Sequence, residues 1–175
     1  MNQNLLRYTK TGGFDELYTP IYAIEPLLNY IPKHVKIWEC TDFGSSNITK
    51  VLRENGWEVI STHKDNFNFL TDTPDFDYDM IITNPPYTLK DEFIERCYSY
   101  GKPFALLLPI TSLEGVKRGA MFRENGLELI VLDKRVNYMN EKKSNWFNTS
   151  WFCWKMLNKE LNFEQLKTDN QIELF

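Results

Sequence analysis

The 175-residue sequence predicts an α/β protein: a doubly wound, mostly parallel sheet closed by an antiparallel C-terminal hairpin. Three observations predict it. Short apolar runs alternate with amphipathic segments through most of the chain, the pattern of a parallel sheet with helical crossovers. The run 103–109, PFALLLP, is apolar throughout, as a strand buried on both faces is. The last two apolar runs have no helical segment between them, only a polar loop at 137–149, which suits an antiparallel pair.

The elements follow in order. VKIWE (35–39) is the first strand and stops at polar TDFGSSN. ITKVLRENG carries apolar residues at 48, 51 and 52 and ends on Gly56, a helix with its stop signal. WEVIST (57–62) is the second strand, and a short third is expected near Phe67–Leu70. YDMIIT (78–83) is the fourth, cut off by Pro85-Pro86, which can neither continue a ladder nor start inside a helix. LKDEFIERCYSYG (89–101) is helical, with apolar positions at 89, 93, 94 and 97. Residues 103–109 make the fifth strand, 114–125 a helix, and LELIVLD (127–133) and SWFCWKML (150–157) the closing strands. The domain is expected over 1–157, with a polar tail over 158–175.

Composition narrows the class. No stretch approaches the ~20 apolar residues that span a bilayer, and the first ten residues lack a signal-peptide core, so a soluble cytoplasmic protein is expected. Cys40, Cys97 and Cys153 are widely spaced and never form C-x-x-C, which argues for reduced thiols and against a disulfide or metal site. A net charge of −4 excludes a surface that grips nucleic acid all round, though not a local basic face.

Ligands of doubly wound sheets bind beyond the carboxyl ends of the strands, and Asn84-Pro85-Pro86-Tyr87 falls there. These four residues resemble the [DNS]-P-P-[YFW] motif of the N6-adenine and related amino-methyltransferases. An aromatic exocyclic amine is a poor nucleophile, because its lone pair is delocalised into the ring. The Asn84 side-chain carbonyl and the Pro85 backbone carbonyl can both accept hydrogen bonds from it, favouring a pyramidal nitrogen. Pro86 stiffens the turn, and Tyr87 offers a flat face for a planar substrate. The resemblance implies a class I, Rossmann-like methyltransferase that uses S-adenosylmethionine and methylates adenine N6 in DNA.

Other segments fall where that family would have them. Tyr18-Thr19-Pro20 resembles the element that closes over the methionine end of the cofactor. Lys36-Ile37-Trp38-Glu39 followed by Gly44 resembles the first-strand motif, and Asn66-Phe67-Asn68-Phe69-Leu70 the D-F-L element of the adenine pocket. The resemblance therefore assigns Tyr18, Thr19, Pro20, Glu39, Gly44, His63, Phe69 and Asn84 to the cofactor. Two positions depart from the pattern. The loop ECTDFGSSN has one glycine where the family usually has two, and the place of the ribose-binding acid carries His63, with Asp65 two residues on.

The loop 134–149 mixes Arg135, Lys142 and Lys143 with Tyr138, Trp146 and Phe147, cations for phosphates and flat faces for an extruded base. Tyr87, Arg135, Lys142, Lys143, Trp146 and Phe147 are the expected substrate contacts. The final QIELF resembles the pentapeptide that docks onto bacterial sliding clamps, implying that Gln171, Leu174 and Phe175 bind such a clamp. That would suit a phage protein acting in a bacterial host. Three readings stay open: a DNA adenine methyltransferase, an RNA-base or protein-glutamine methyltransferase with the same chemistry, and a binding protein on a retired methyltransferase scaffold.

Overall fold

The computed structural model describes residues 18–138 and 147–167. One sheet of seven strands organises them: β1 (Lys36–Glu39), β2 (Glu58–Ser61), β3 (Met80–Thr83), β4 (Phe104–Pro109), β5 (Glu128–Leu132), β6 (Thr149–Trp154) and β7 (Leu161–Glu164). Their spatial order is β2-β1-β3-β4-β6-β5-β7. Strand β6 runs antiparallel to β4 and β5, and every other pairing is parallel.

Four helices cover the sheet: α1 (Glu25–Leu28), α2 (Asn47–Glu54), α3 (Lys90–Tyr100) and α4 (Val116–Asn125). Alternate strand residues divide the core in two, as the period of a strand requires. Ile37, Val59, Ile82, Leu107 and Trp151 pack with Ile24, just before α1, with Leu27 of α1 and with Val51 and Leu52 of α2. On the opposite face Trp38, Ile81, Leu106 and Phe152 pack with Phe93, Ile94 and Cys97 of α3. All six residues of β4, at the centre, are buried. The three cysteines are free and buried.

Local sequence explains where the elements stop. Ser46 caps α2 by accepting the Thr49 N–H (3.1 Å). Gly101 ends α3 in the left-handed conformation, φ 67°. The stretch 21–31, helical by apolar spacing, forms only a 3-10 turn at Ile21–Ala23 and the four-residue α1, which starts at Glu25 with Pro26 in its first turn.

Two expectations are corrected. No strand forms at Phe67–Leu70, where the backbone turns. The Asn68 N–H donates to Asp72 and its side chain accepts from the Leu70 N–H (3.0 Å), so local side chains satisfy groups a ladder would need. The sheet also does not end at 157. Residues 161–164 form β7, parallel to β5, and Leu166 beyond it is fully buried, its N–H bonded to Asp133 Oδ1 (2.9 Å). The domain thus takes in most of the segment read as a tail.

Candidate active site

Strand β1 leads by α2 to β2 on one side, while the chain returns to β3 on the other. The loops after β1 and β3 therefore diverge and open a crevice at the switch point. A cavity of about 440 Å³ lies there, within the range of small-molecule sites. The loops after β1, β2 and β3 line it, with Tyr18 and Thr19 on a further side.

Glu39, at the end of β1, is 1% exposed. Its Oε1 accepts from the hydroxyls of Thr83 (2.5 Å) and Thr41 (2.8 Å) and, more weakly, from the Thr41 N–H (3.3 Å). The two threonine hydroxyls also touch each other (2.7 Å), tying the ends of β1 and β3. Oε2 of Glu39 is buried with no hydrogen-bond partner among the described residues. Burial pushes the carboxyl up to about 7, although the bonds from Thr83 and Thr41 pull the other way. A buried, half-satisfied carboxylate on a cavity wall suits a cationic donor.

Asp42 stays ionised by the opposite balance. Burial works against its charge, but the Ser46 N–H (2.9 Å), the Thr49 hydroxyl (2.9 Å) and the N–H groups of Ser45 and Gly44 hold it below the ordinary carboxylate range. Gly44 has φ 96°, which a glycine adopts without strain.

The loop after β2 supplies the other end. Phe69 is buried and stacks on Phe93, centroids 4.9 Å apart, and both line the cavity with Leu70 and Leu89. Phe43, 64% exposed, lies over the His63 ring at 3.9 Å, and the Asp65 N–H donates to His63 Nδ1 (3.3 Å). Asn84 Nδ2 donates to Thr19 Oγ1 (3.1 Å), and Asn47 Nδ2 to the Thr19 carbonyl (2.9 Å). Thr19 thereby joins the Asn84 loop to the start of α2.

Of the residues expected at the site, Tyr18, Thr19, Glu39, His63, Phe69, Asn84 and Pro86 line the cavity. Pro20, Gly44 and Pro85 adjoin lining residues without facing it. Tyr87 follows Pro86 at the edge of the lining and does not itself line the cavity: its ring meets Phe147 edge-on at 5.6 Å and its hydroxyl donates to Tyr138 (3.3 Å). Arg135 is exposed and its Nε donates to Asn148 Oδ1 (2.8 Å). Lys142, Lys143, Trp146, Gln171, Leu174 and Phe175 lie outside the described residues. Sequence reasoning missed Asp42 and Phe93. The aspartate was detectable from its place before Gly44-Ser45-Ser46, where an acceptor can collect the N–H groups of a turn.

Solved structures share this architecture. A protein described as the modification subunit of a type I restriction enzyme from Vibrio vulnificus YJ016 superposes with a TM-score of 0.54 at 11% identity, covering 88% of this chain. The chain spans 48% of that protein's length. The two share a fold over that span. A protein described as an RNA methyltransferase from Pyrococcus horikoshii gives a TM-score of 0.46 at 10% identity, over 79% of this chain and 81% of its own. Comparisons with protein-family models and with curated proteins give no match. Among the described residues no helix is long and apolar enough to cross a membrane.

Proposed function

We propose that the chain is an S-adenosylmethionine-dependent methyltransferase acting on the N6 amino group of adenine in DNA. One observation carries the reading: Asn84 of the N-P-P-Y segment stands on the wall of the switch-point cavity, bonded to Thr19. An amide carbonyl followed by two prolines, which carry no N–H, supplies the acceptors an amine needs if its hydrogens are to be held while its lone pair stays available.

The residues present fit the cofactor. The partnerless Glu39 Oε2 and the ionised Asp42 suit a ligand with cationic groups, and Phe69, Phe93, Leu70 and Leu89 suit a flat ring. Asp65 and His63 stand on the same wall, within the loop where ribose hydroxyls would be received. When bound, S-adenosylmethionine supplies an electrophilic methyl group. Asn84 and the Pro85 carbonyl then orient the substrate amine, and Tyr87 bounds the place of its ring. The likeness to a protein described as a restriction-modification subunit is in keeping with DNA as the substrate. The same reading makes the 171–175 segment the contact to a bacterial sliding clamp.

The test is transfer of a labelled methyl group to adenine-containing DNA, with the product identified by mass spectrometry. Asn84→Ala should abolish transfer while cofactor affinity stays within a few-fold. A wild-type rate in that variant would remove Asn84 from the mechanism. Label in RNA or in protein glutamine, and none in DNA, would replace the substrate.

A further inference from the structure

An aromatic ring beside a binding cavity is useful only if something fixes where it stands. Here three contacts hold Tyr87, and two come from residues far outside its motif. Its backbone carbonyl accepts from Lys90 Nζ (3.1 Å), its ring meets the edge of Phe147, and its hydroxyl donates to Tyr138 (3.3 Å). Tyr138 is itself held. Its hydroxyl donates to Thr149 Oγ1 (3.0 Å) on buried Thr149, the first residue of β6, which pairs with Pro109 of β4. The preceding residue is fixed as well, since the Asn137 N–H donates to the Tyr22 hydroxyl (2.7 Å). A file of hydroxyls, Thr149 to Tyr138 to Tyr87, thus runs from the central sheet to the ring.

We propose that Tyr138 is a positioning residue, holding the far end of the Tyr87 ring where a planar substrate packs against it. The inference rests on the adenine reading of the Asn84–Tyr87 segment. It goes further in explaining why a hydroxyl stands at position 87. A phenylalanine would offer the same face but leave the ring to swing about its first side-chain bond. Phe147 sets the tilt of the ring, and Tyr138 sets its place.

The experiment uses the full chain with Tyr138→Phe, Tyr87→Phe and the double variant. Both changes keep the rings and remove only hydroxyls. Each single variant should raise KM for the nucleic acid about three- to ten-fold, the value of one uncharged hydrogen bond, with kcat within two-fold. The double variant should be no worse than either single, because both remove the same bond. Unchanged KM in Tyr138→Phe, or additive losses in the double variant, would overturn the proposal; so would a fall in melting temperature with KM unmoved.

A second readout needs no activity. Three-bond NMR couplings at Tyr87 should show one side-chain rotamer in the wild type and averaging in Tyr138→Phe. If the wild type acts on no nucleic acid, the adenine reading fails and this measurement alone decides. Identical couplings in the two proteins would then refute Tyr138 as the anchor.

Discussion

Replacing Glu39 by glutamine perturbs the one buried carboxyl that links the sheet to the cavity. Its folded value stands near 7 against 4.5 for a free carboxyl, so the folded state holds its proton more tightly than the unfolded chain. The sign follows from linkage: stability from this group is fully present below about 4.5 and is lost as pH rises to about 7. The gap from 4.5 to about 7 is worth at most about 3 kcal/mol at ~1.4 kcal/mol per pH unit, and about 2–3 kcal/mol of it falls between pH 5 and 8. Glutamine keeps an acceptor for Thr41 and Thr83 but puts an N–H₂ group where Oε2 lacks a partner, a pH-independent cost of about 1–3 kcal/mol. Absolute stabilities therefore do not decide the matter; slopes do. Urea unfolding of both proteins at pH 5 and pH 8 should show the wild type losing about 2–3 kcal/mol relative to Glu39→Gln over that interval. Parallel pH profiles would refute the argument. They would mean that water reaches Glu39, or that its unfolded reference is not that of a free carboxyl.

Three further outcomes are expected. Leu166→Ala should destabilise the domain by about 2–5 kcal/mol in urea unfolding, because Leu166 is fully buried, whereas deleting residues 171–175 should leave the unfolding midpoint in place and abolish association with a bacterial sliding clamp. S-adenosylmethionine or its demethylated product should raise the melting temperature by preferential binding to the folded state; NAD at the same concentration should not.

Much of this architecture is legible in the sequence because it rests on strong local signals. Gly56 and Gly101 mark helix ends, Pro85-Pro86 stops β3, and the unbroken apolar run at 104–109 is the buried centre of the sheet. The errors come from elements decided by tertiary contacts. Asn66-Phe67-Asn68-Phe69 alternates like a strand, yet Phe67 and Phe69 pack around Trp38 at centroid distances of 5.7 and 5.1 Å from a turned backbone. Leu161-Asn162-Phe163-Glu164 is short and set among charges. It joins the sheet through register with β5, while Phe163 stays 72% exposed. Propensity cannot see a partner strand about 30 residues away. The Asn84 loop was readable because its chemistry sits in four consecutive residues. Tyr138 was not readable as an anchor, because nothing local ties it to Tyr87.

The single-glycine loop after β1 bears directly on what the crevice can hold. In glycine-rich loops of doubly wound sheets, backbone N–H groups face outward and receive a pyrophosphate. Here the Asp42 carboxylate collects those donors instead: the N–H groups of Gly44, Ser45 and Ser46 turn inward to it, and the Thr49 hydroxyl adds a fourth bond. The loop is thus fixed by a side chain, not by close approach of backbone to ligand, and one left-handed residue, Gly44, suffices to turn it. The consequence is electrostatic. A ligand in this crevice meets ionised Asp42 and the partnerless oxygen of Glu39, while the N–H groups of Gly44, Ser45 and Ser46 are already engaged by Asp42. A pyrophosphate would bring two negative charges against these carboxylates in a part-buried cavity, where charges interact far more strongly than in bulk water. A sulfonium and an ammonium meet attraction at the same place. The feature that departs most from a glycine-rich pattern is therefore the one that sets two acidic side chains at this end of the crevice.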